Sequence, residues 1–552
     1  MTTQADSSAR LAALAERVLD ERWKASPPEA AGSGIHDYDG LLPPVTSASI
    51  EARVAGLRAA LADGVAIVPG GLASMESFDL DLLLLGLRSE IWELTENRSF
   101  THDPMALMWP LEATAYMDRS YAPVEQRMAS MVNLLRAVPA YLDSVRDLLE
   151  PPFAKPVLGQ TIEAYLGVAG FYRGDVTEFA KANLDADGSG EATQAAESAA
   201  AAIDAMVGYL RAHETTANDD FAIGTERYAT MLSLGEMVDF PLSQIEAAGE
   251  RELRRHQALV REAAEHIAPG KPLAEAIAVV TKDHPAADRL IDETREMLEE
   301  IRSFTIDHNI VSVISDVRVQ VRETPAFMRW AFAAMDGPGP FEQVATESFY
   351  YVTPVETHWT AEQAEEWLSN FNYATLKIIS VHEAYPGHYV HFLRHAHAPS
   401  AVSKVFGAYS FWEGWAHYCE EMFLEAGYGD GDPKLQLAMA QEALVRACRL
   451  LCSLRMHTQG QTLAESERFF QREAFMEELP ATKEALRGTF DPGYLNYTLG
   501  KLLITKLRAD WQAEQGTTYS LKAFHDELLS HGGPPVPLLR KHMLRNDDGV
   551  LL

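Results

Sequence analysis

Ser380–Leu393 reads SVHEAYPGHYVHFL, three histidines and one glutamate among apolar and aromatic residues. Hydrolysis by metal-activated water needs three protein ligands, an open position and a base that takes the proton from that water. His382 and Glu383 point in different directions from consecutive positions, so one can bind metal while the other faces the water. A zinc peptidase commonly shows His-Glu-x-x-His, which puts both histidines on one helix face. Here His388 arrives six positions after His382. On an ideal helix that is about 240° around the axis. The two converge only if the helix breaks between them, and Pro386-Gly387 is a pair that breaks helices. His391 shares the face of His388 and is a rival ligand. His395 and His397 follow in a polar context and read as surface residues.

A third ligand is expected from FWEGWAHYCEEMFLEAG, Phe411–Gly427. On a helix Glu413, His417, Glu420 and Glu421 fall near one another. Large aromatics surround Glu413, which implies burial, and a buried carboxylate needs a partner. A divalent metal is one such partner; an arginine is the other. Two histidines and a glutamate make a His₂Glu catalytic zinc site. The reading is therefore one Zn²⁺ per chain, with another divalent metal as the substitute. Glu420 and His417 are then placed to orient the ligating imidazoles.

HEAYPGH followed by an EGWA-type segment resembles a bacterial domain-of-unknown-function family regarded as zincin-like metallopeptidases. These are mostly helical and similar in layout to the gluzincin peptidases. Further matches are VRETPAFMR (Val321–Arg329), SFYYVTP, RACRLLCSLRMHTQG (Arg446–Gly460) and DPGYLNYTLGK (Asp491–Lys501), so the resemblance covers most of the chain. It implies His382, His388 and Glu413 as zinc ligands and Glu383 as general base. The chain departs from the family pattern at His391, where glutamine is usual, and at His417, where an apolar residue is more frequent. It departs again across Gly493–Tyr497, where glutamine and alanine often precede the tyrosine. These changes leave the metal residues intact and bear on the substrate.

Amide hydrolysis builds negative charge on the carbonyl oxygen, and a donor beside the metal stabilises it. The resemblance makes Tyr497 the first choice for that donor, with His457 the second. Arg446 and Arg449, on an otherwise apolar helix, either hold a substrate carboxylate or pair with Glu420 or Glu421. The segment SFYYVTP, with Tyr351 facing substrate, is either an exposed edge strand that receives an extended peptide or a core strand.

The elements that carry these residues are mainly helical. Amphipathic periodicity predicts helices over Ser8–Trp23, Gln126–Leu149, Pro241–His266, Leu273–Val280, Ala286–Ile301 and Leu499–Leu507. EPPFAKP (Glu150–Pro156) punctuates two helices, and Asp185–Ser198 reads as a polar loop before an alanine-rich helix. Ser348–Val355 is the clearest strand. The fold class expected is mainly α: a large two-lobed, zincin-like (gluzincin-type) body with a small β-sheet beside the metal helix. A helical N-terminal region, 1–330, would precede a catalytic region, 331–552. The net charge of −33 argues against nucleic acid or an anionic membrane as partner. The N-terminus lacks the pattern of a secretory signal, and Leu80–Leu87 is too short to span a bilayer. Cys419, Cys448 and Cys452 read as reduced thiols, and the location expected is the cytoplasm.

Together these observations predict a zinc-dependent hydrolase acting on small peptides or related amides. The alternatives are a non-peptide amide hydrolase of specialised metabolism, a non-catalytic metal-binding protein, and an iron-dependent oxidant on a His₂-carboxylate site. Glu383 beside His382 favours hydrolysis, because a purely structural metal site has no use for a base there.

Overall fold

A computed structural model describes residues 4–325, 329, 332–356 and 358–552. The chain divides into two compact units, Met1–Phe221 with Pro338–Thr346, and Ala222–Gly337 with Glu347–Leu552. The boundary expected near residue 330 falls inside the second unit. The reason is the helix Leu242–Ile267, whose apolar face packs along the helix Pro433–Thr458 and joins segments that the sequence reading assigned to different halves.

In the first unit the helices Val124–Leu148 and Lys155–Phe171 pack on a long helix, Ala186–Ala212. That helix includes the segment expected as a polar loop. Asp185 caps it by accepting the Gly188 N–H at 2.8 Å, and Ala192, Ala195, Ala196, Ala199 and Ala200 are buried along it. Helix propensity of alanine and close packing outweigh the glycines of the first turns. Segment 338–346 returns to this unit, with the Phe341 N–H donating to Ser33 O at 3.0 Å.

The second unit holds the histidine, glutamate and tyrosine motifs singled out above for chemistry. A three-stranded sheet is ordered β1 (Gln320–Glu323), β3 (Phe349–Val352), β2 (Ala333–Asp336). β3 runs parallel to β1 and antiparallel to β2, pairing Tyr351 with Arg322 and with Ala334. All four β3 residues are buried. The edge-strand role of SFYYVTP is thereby corrected: β3 is the central strand, both its backbone edges are occupied, and Tyr351 packs in the core. Ala326, Phe327 and Met328 of the VRETPAFMR motif lie outside the described residues. The sheet does sit beside the helix that carries His382, Tyr373–Glu383, where the Tyr350 hydroxyl lies 3.3 Å from Ser380 Oγ. The helix Tyr409–Glu425 packs along Asn496–Gln515. Their approach is close: a Cβ on Gly500 would lie 1.8 Å from Ser410 O. Glycine at that crossing lets the two backbones meet.

Candidate metal centre

The first helix of the motif ends at Glu383 and a second begins at His388. Between them Ala384 leaves helical geometry, the Tyr385–Pro386 peptide is cis, and Gly387 adopts φ −66°, ψ −130°. The chain folds back so tightly that a Cβ on Gly387 would lie 1.7 Å from His382 O. The expected break is therefore a full interruption. It brings the His382 and His388 rings edge to face, 4.9 Å apart.

Glu413 comes to the same place from the helix Tyr409–Glu425. Its Oε2 lies 3.5 Å from His382 Nε2 and 3.4 Å from His388 Nε2, and the three ligand atoms all fall within 4.8 Å of one another. A tetrahedral cation with ligand bonds of about 2.0–2.1 Å spaces neighbouring ligand atoms about 3.4 Å apart. Glu413 Oε2 is also buried without a hydrogen-bond donor, a costly state for a carboxylate oxygen that has no cation. Burial opposes its charge, yet the neighbouring His388 and His382 hold its pKa well below the ordinary carboxylate range. The donor set, its spacing and the orphaned oxygen all fit a divalent metal.

Glu420 braces the group. Its Oε1 accepts from His382 Nδ1 at 2.6 Å, and its Oε2 lies 3.1 Å from His417 Nδ1. Arg446 Nη2 stands 3.2 Å from Oε1, so the buried carboxylate has a counter-charge. Such a partner fixes the imidazole tautomer and presents Nε2 to a metal. Burial disfavours the His382 cation, but Glu413 and Glu420 push its pKa up to about 9. Burial takes His417 down to about 3.

Trp415 joins the two motifs. Its indole N–H donates to Pro386 O at 3.1 Å and Gly387 O at 3.3 Å; the Gly387 carbonyl also accepts the His391 N–H at 3.1 Å, so it is the Pro386 carbonyl at the break that depends on the indole. The sequence marked the aromatic setting of Glu413 but assigned this tryptophan no role.

Tyr497, at the start of the helix Asn496–Gln515, lies against the site, its ring stacked on His382 at 6.5 Å. The Arg449 guanidinium sits 4.9 Å over that ring and Arg487 5.7 Å from it. Burial first, and the Glu413 carboxylate second, push the Tyr497 phenol upward. It therefore stays protonated at neutral pH and able to donate. Arg487 also donates to the Tyr409 hydroxyl at 2.9 Å, and nothing in the sequence drew attention to either residue. Glu383 closes its helix and is half-buried. Burial first, and the Glu383 carboxylate second, raise the Tyr350 phenol.

Other expected residues have different work. Arg446 binds Glu420 and Glu442, and Arg449 holds Glu484 through two bonds of 2.7 Å. Arg446 thus pairs with Glu420, as the alternative reading had it, whereas Arg449 is taken up by Glu484, neither of the two partners expected. His391 lies outside the His382–His388–Glu413 group, with Nε2 on Gly532 O at 3.0 Å and its ring on Trp412. His395 is buried against Trp412, contrary to its surface reading, because the helix His388–His395 is apolar on that side too. His457 does not serve as oxyanion donor. Its Nδ1 accepts the Ile223 N–H and its Nε2 bonds Gly488 O at 2.8 Å. It also lies eleven residues beyond Arg446, about 16 Å along the same helix. The three cysteines are free and buried.

Glu252, His256 and Glu421 form a second cluster of metal-ligating types. Here the carboxylates already have cations. Lys501 Nζ lies 2.5 Å from Glu421 and 3.3 Å from Glu252, and Arg255 bonds both. At His382, His388 and Glu413, by contrast, no lysine or arginine among the described residues pairs with the carboxylate.

Fold and site define a mainly helical protein with one small mixed sheet and a His-His-Glu group in which His382 is buried and His388 and Glu413 are partly so. The chain belongs to the family described as bacterial protein of unknown function (DUF885), whose model matches residues 27–543. A solved structure from Shewanella oneidensis, described as a lipoprotein candidate of unknown function, is 25% identical. The match covers 97% of this chain and 100% of that one, with a TM-score of 0.81. A lipoprotein candidate from Colwellia psychrerythraea is 15% identical over 97% and 98% of the two chains, with a TM-score of 0.82, and shows the fold alone. No curated protein matches the sequence. Among the described residues no helix is long and apolar enough to cross a membrane.

Proposed function

We propose that this protein is a zinc-dependent hydrolase of zincin-like type that cleaves peptide or related amide bonds. The observation that carries the proposal is Glu413 Oε2, buried, without a donor and nearly equidistant from two imidazole nitrogens. His382, His388 and Glu413 would hold the metal. When bound, zinc acidifies water and polarises a carbonyl. Glu383, next to a ligand and half-buried, takes the proton from the attacking water and delivers it to the leaving amine. The Tyr497 phenol donates to the oxyanion that develops on the substrate carbonyl. Glu420 keeps the His382 imidazole in its orientation throughout. Buried free thiols accord with a reducing cytoplasm; the structural relatives are described as lipoprotein candidates, so cell fractionation is the check on location.

Elemental mass spectrometry of protein purified without added metal tests the metal. About one zinc per chain is expected for one catalytic site; none bound and none taken up on titration overturns it. Oligopeptides set against small acylated amino acids then test the reaction. Turnover of either that stops on chelation supports hydrolysis, and peptide turnover assigns the peptidase class. A zinc-loaded protein inert on both sets leaves a non-catalytic metal-binding protein.

A further inference from the structure

Glu236 ends the helix Thr225–Glu236 and is only 5% exposed. The chain turns immediately after it, with Met237 at φ 54°, an uncommon conformation for a bulky residue. Among the described residues no cation pairs with Glu236. What surrounds its carboxylate is a set of hydrogen bonds to the starts of two other helices. Oε2 accepts the backbone N–H of Ser410 at 3.1 Å, and Oε1 accepts Asn496 Nδ2 at 3.1 Å.

The helix Tyr409–Glu425 needs this acceptor or something like it at its backbone, while the helix Asn496–Gln515 is held through the Asn496 side-chain amide. The first N–H groups of a helix have no partner within it. The residues preceding Tyr409–Glu425 and Asn496–Gln515 are Ala408 and Leu495, and neither has a side chain that caps. A buried carboxylate at that point also meets the positive ends of the helix dipoles. The Gly414–Gly500 crossing fixes how near the helices approach, but a glycine contact is smooth and does little to fix how one helix slides or turns on the other. Ser410 lies three residues before Glu413, and Asn496 lies one before Tyr497. One carboxylate therefore ties together the starts of the elements that carry a metal ligand and the phenol beside it, whose ring also meets that of Tyr409 at 5.9 Å.

We propose that Glu236 is a positioning residue for the metal centre, setting Glu413 and Tyr497 against each other by tying Ser410 to Asn496. The inference rests on the metal reading above and extends it to a residue outside both motifs.

The test is metal binding by the full chain, read as zinc affinity by competition with a chelating dye and as the visible spectrum of the Co²⁺-substituted protein, which reports ligand geometry. Wild type is measured first. If it takes up neither metal, the proposed function fails, and this inference with it. If it does, Glu236→Gln, which preserves shape but loses the charge and one acceptor, is expected to alter the Co²⁺ spectrum and to weaken zinc binding roughly tenfold or more, the usual effect of removing a residue that braces a ligand. Tyr228→Phe removes a buried hydrogen bond to Ser453 and controls for general loosening; its spectrum should match wild type. Asn496→Ala cuts the same tie from the other side and is read identically if Glu236→Gln does not fold. Wild-type spectrum and affinity in a folded Glu236→Gln or Asn496→Ala would overturn the assignment.

Discussion

The indole of Trp415 bonds the carbonyls of Pro386 and Gly387, so the residue two places after one candidate ligand, Glu413, clamps the residue directly before another, His388. Two motifs 25 positions apart thus form one unit through a single side chain. Trp415→Phe keeps most of the buried volume and removes the donor. An unsatisfied buried carbonyl costs about 1–3 kcal/mol. Denaturant unfolding should show a loss of that order, and zinc affinity should fall with it. A variant as stable and as tight as wild type would mean the clamp is incidental.

Gly387 is the position least able to change. A Cβ there would lie 1.7 Å from His382 O, backbone against backbone. Gly387→Ala should cost more than about 4 kcal/mol and give insoluble or metal-free protein. Gly190→Ala supplies the contrast. It lies in the helix Ala186–Ala212, where a Cβ meets nothing within 4 Å, and should stabilise by about 0.4–1 kcal/mol. Expression and thermal unfolding of the pair check both. A soluble, zinc-binding Gly387→Ala protein would refute the tight return.

The His-His-Glu group and its brace were legible because they rest on residue type and spacing: His382, His388, Glu413, Glu420 and His417 all come together. Legibility ended where a residue's partner lies far off in sequence. His457 and His391 look like site histidines, but Gly488 and Gly532 carbonyls take them up. SFYYVTP has the composition of either a central or an edge strand, and only its pairing with β1 and β2 decides. Asp185–Ser198 shows glycines that suggest a loop, while its helix is stabilised by packing that no local pattern displays. Glu236 gave no signal, since its partners Ser410 and Asn496 are 174 and 260 residues away.

Acid should unfold this protein through its neutral buried histidines. Burial takes the pKa of His395 and His457 down to about 4 and that of His525 to about 3. In the unfolded chain each titrates near about 6.5. Between these values the unfolded state binds more protons, so stability is full above about pH 6.5 and falls as pH drops toward 4. With three such groups the slope reaches a few kcal/mol per pH unit. His382, pushed up to about 9, acts at the other end: its contribution in metal-free protein is complete below about pH 6.5 and is lost as pH rises through 9. Urea unfolding of metal-free protein from pH 4.5 to 9.5 should therefore show a steep acid limb and a shallower alkaline one. A flat profile from pH 6.5 to 4.5 would show that these histidines are not held neutral.

Glu383→Gln separates metal binding from chemistry. Among the described residues Glu383 makes no hydrogen bond or ion pair with the candidate ligands, whereas His382 and His388 both meet Glu413. The amide keeps the size of the carboxylate but cannot accept a proton at neutral pH. Zinc content and affinity should stay at wild-type values while kcat falls roughly 10²–10⁴-fold, the usual worth of a general base. Tyr497→Phe removes one oxyanion donor and should cost about 10²–10³-fold in kcat, again with zinc retained. His388→Ala should lose zinc and activity together. Measured on one substrate with zinc quantified in each sample, this ordering distinguishes base, donor and ligand. Full turnover by zinc-loaded Glu383→Gln would remove Glu383 from the mechanism and require another proton acceptor.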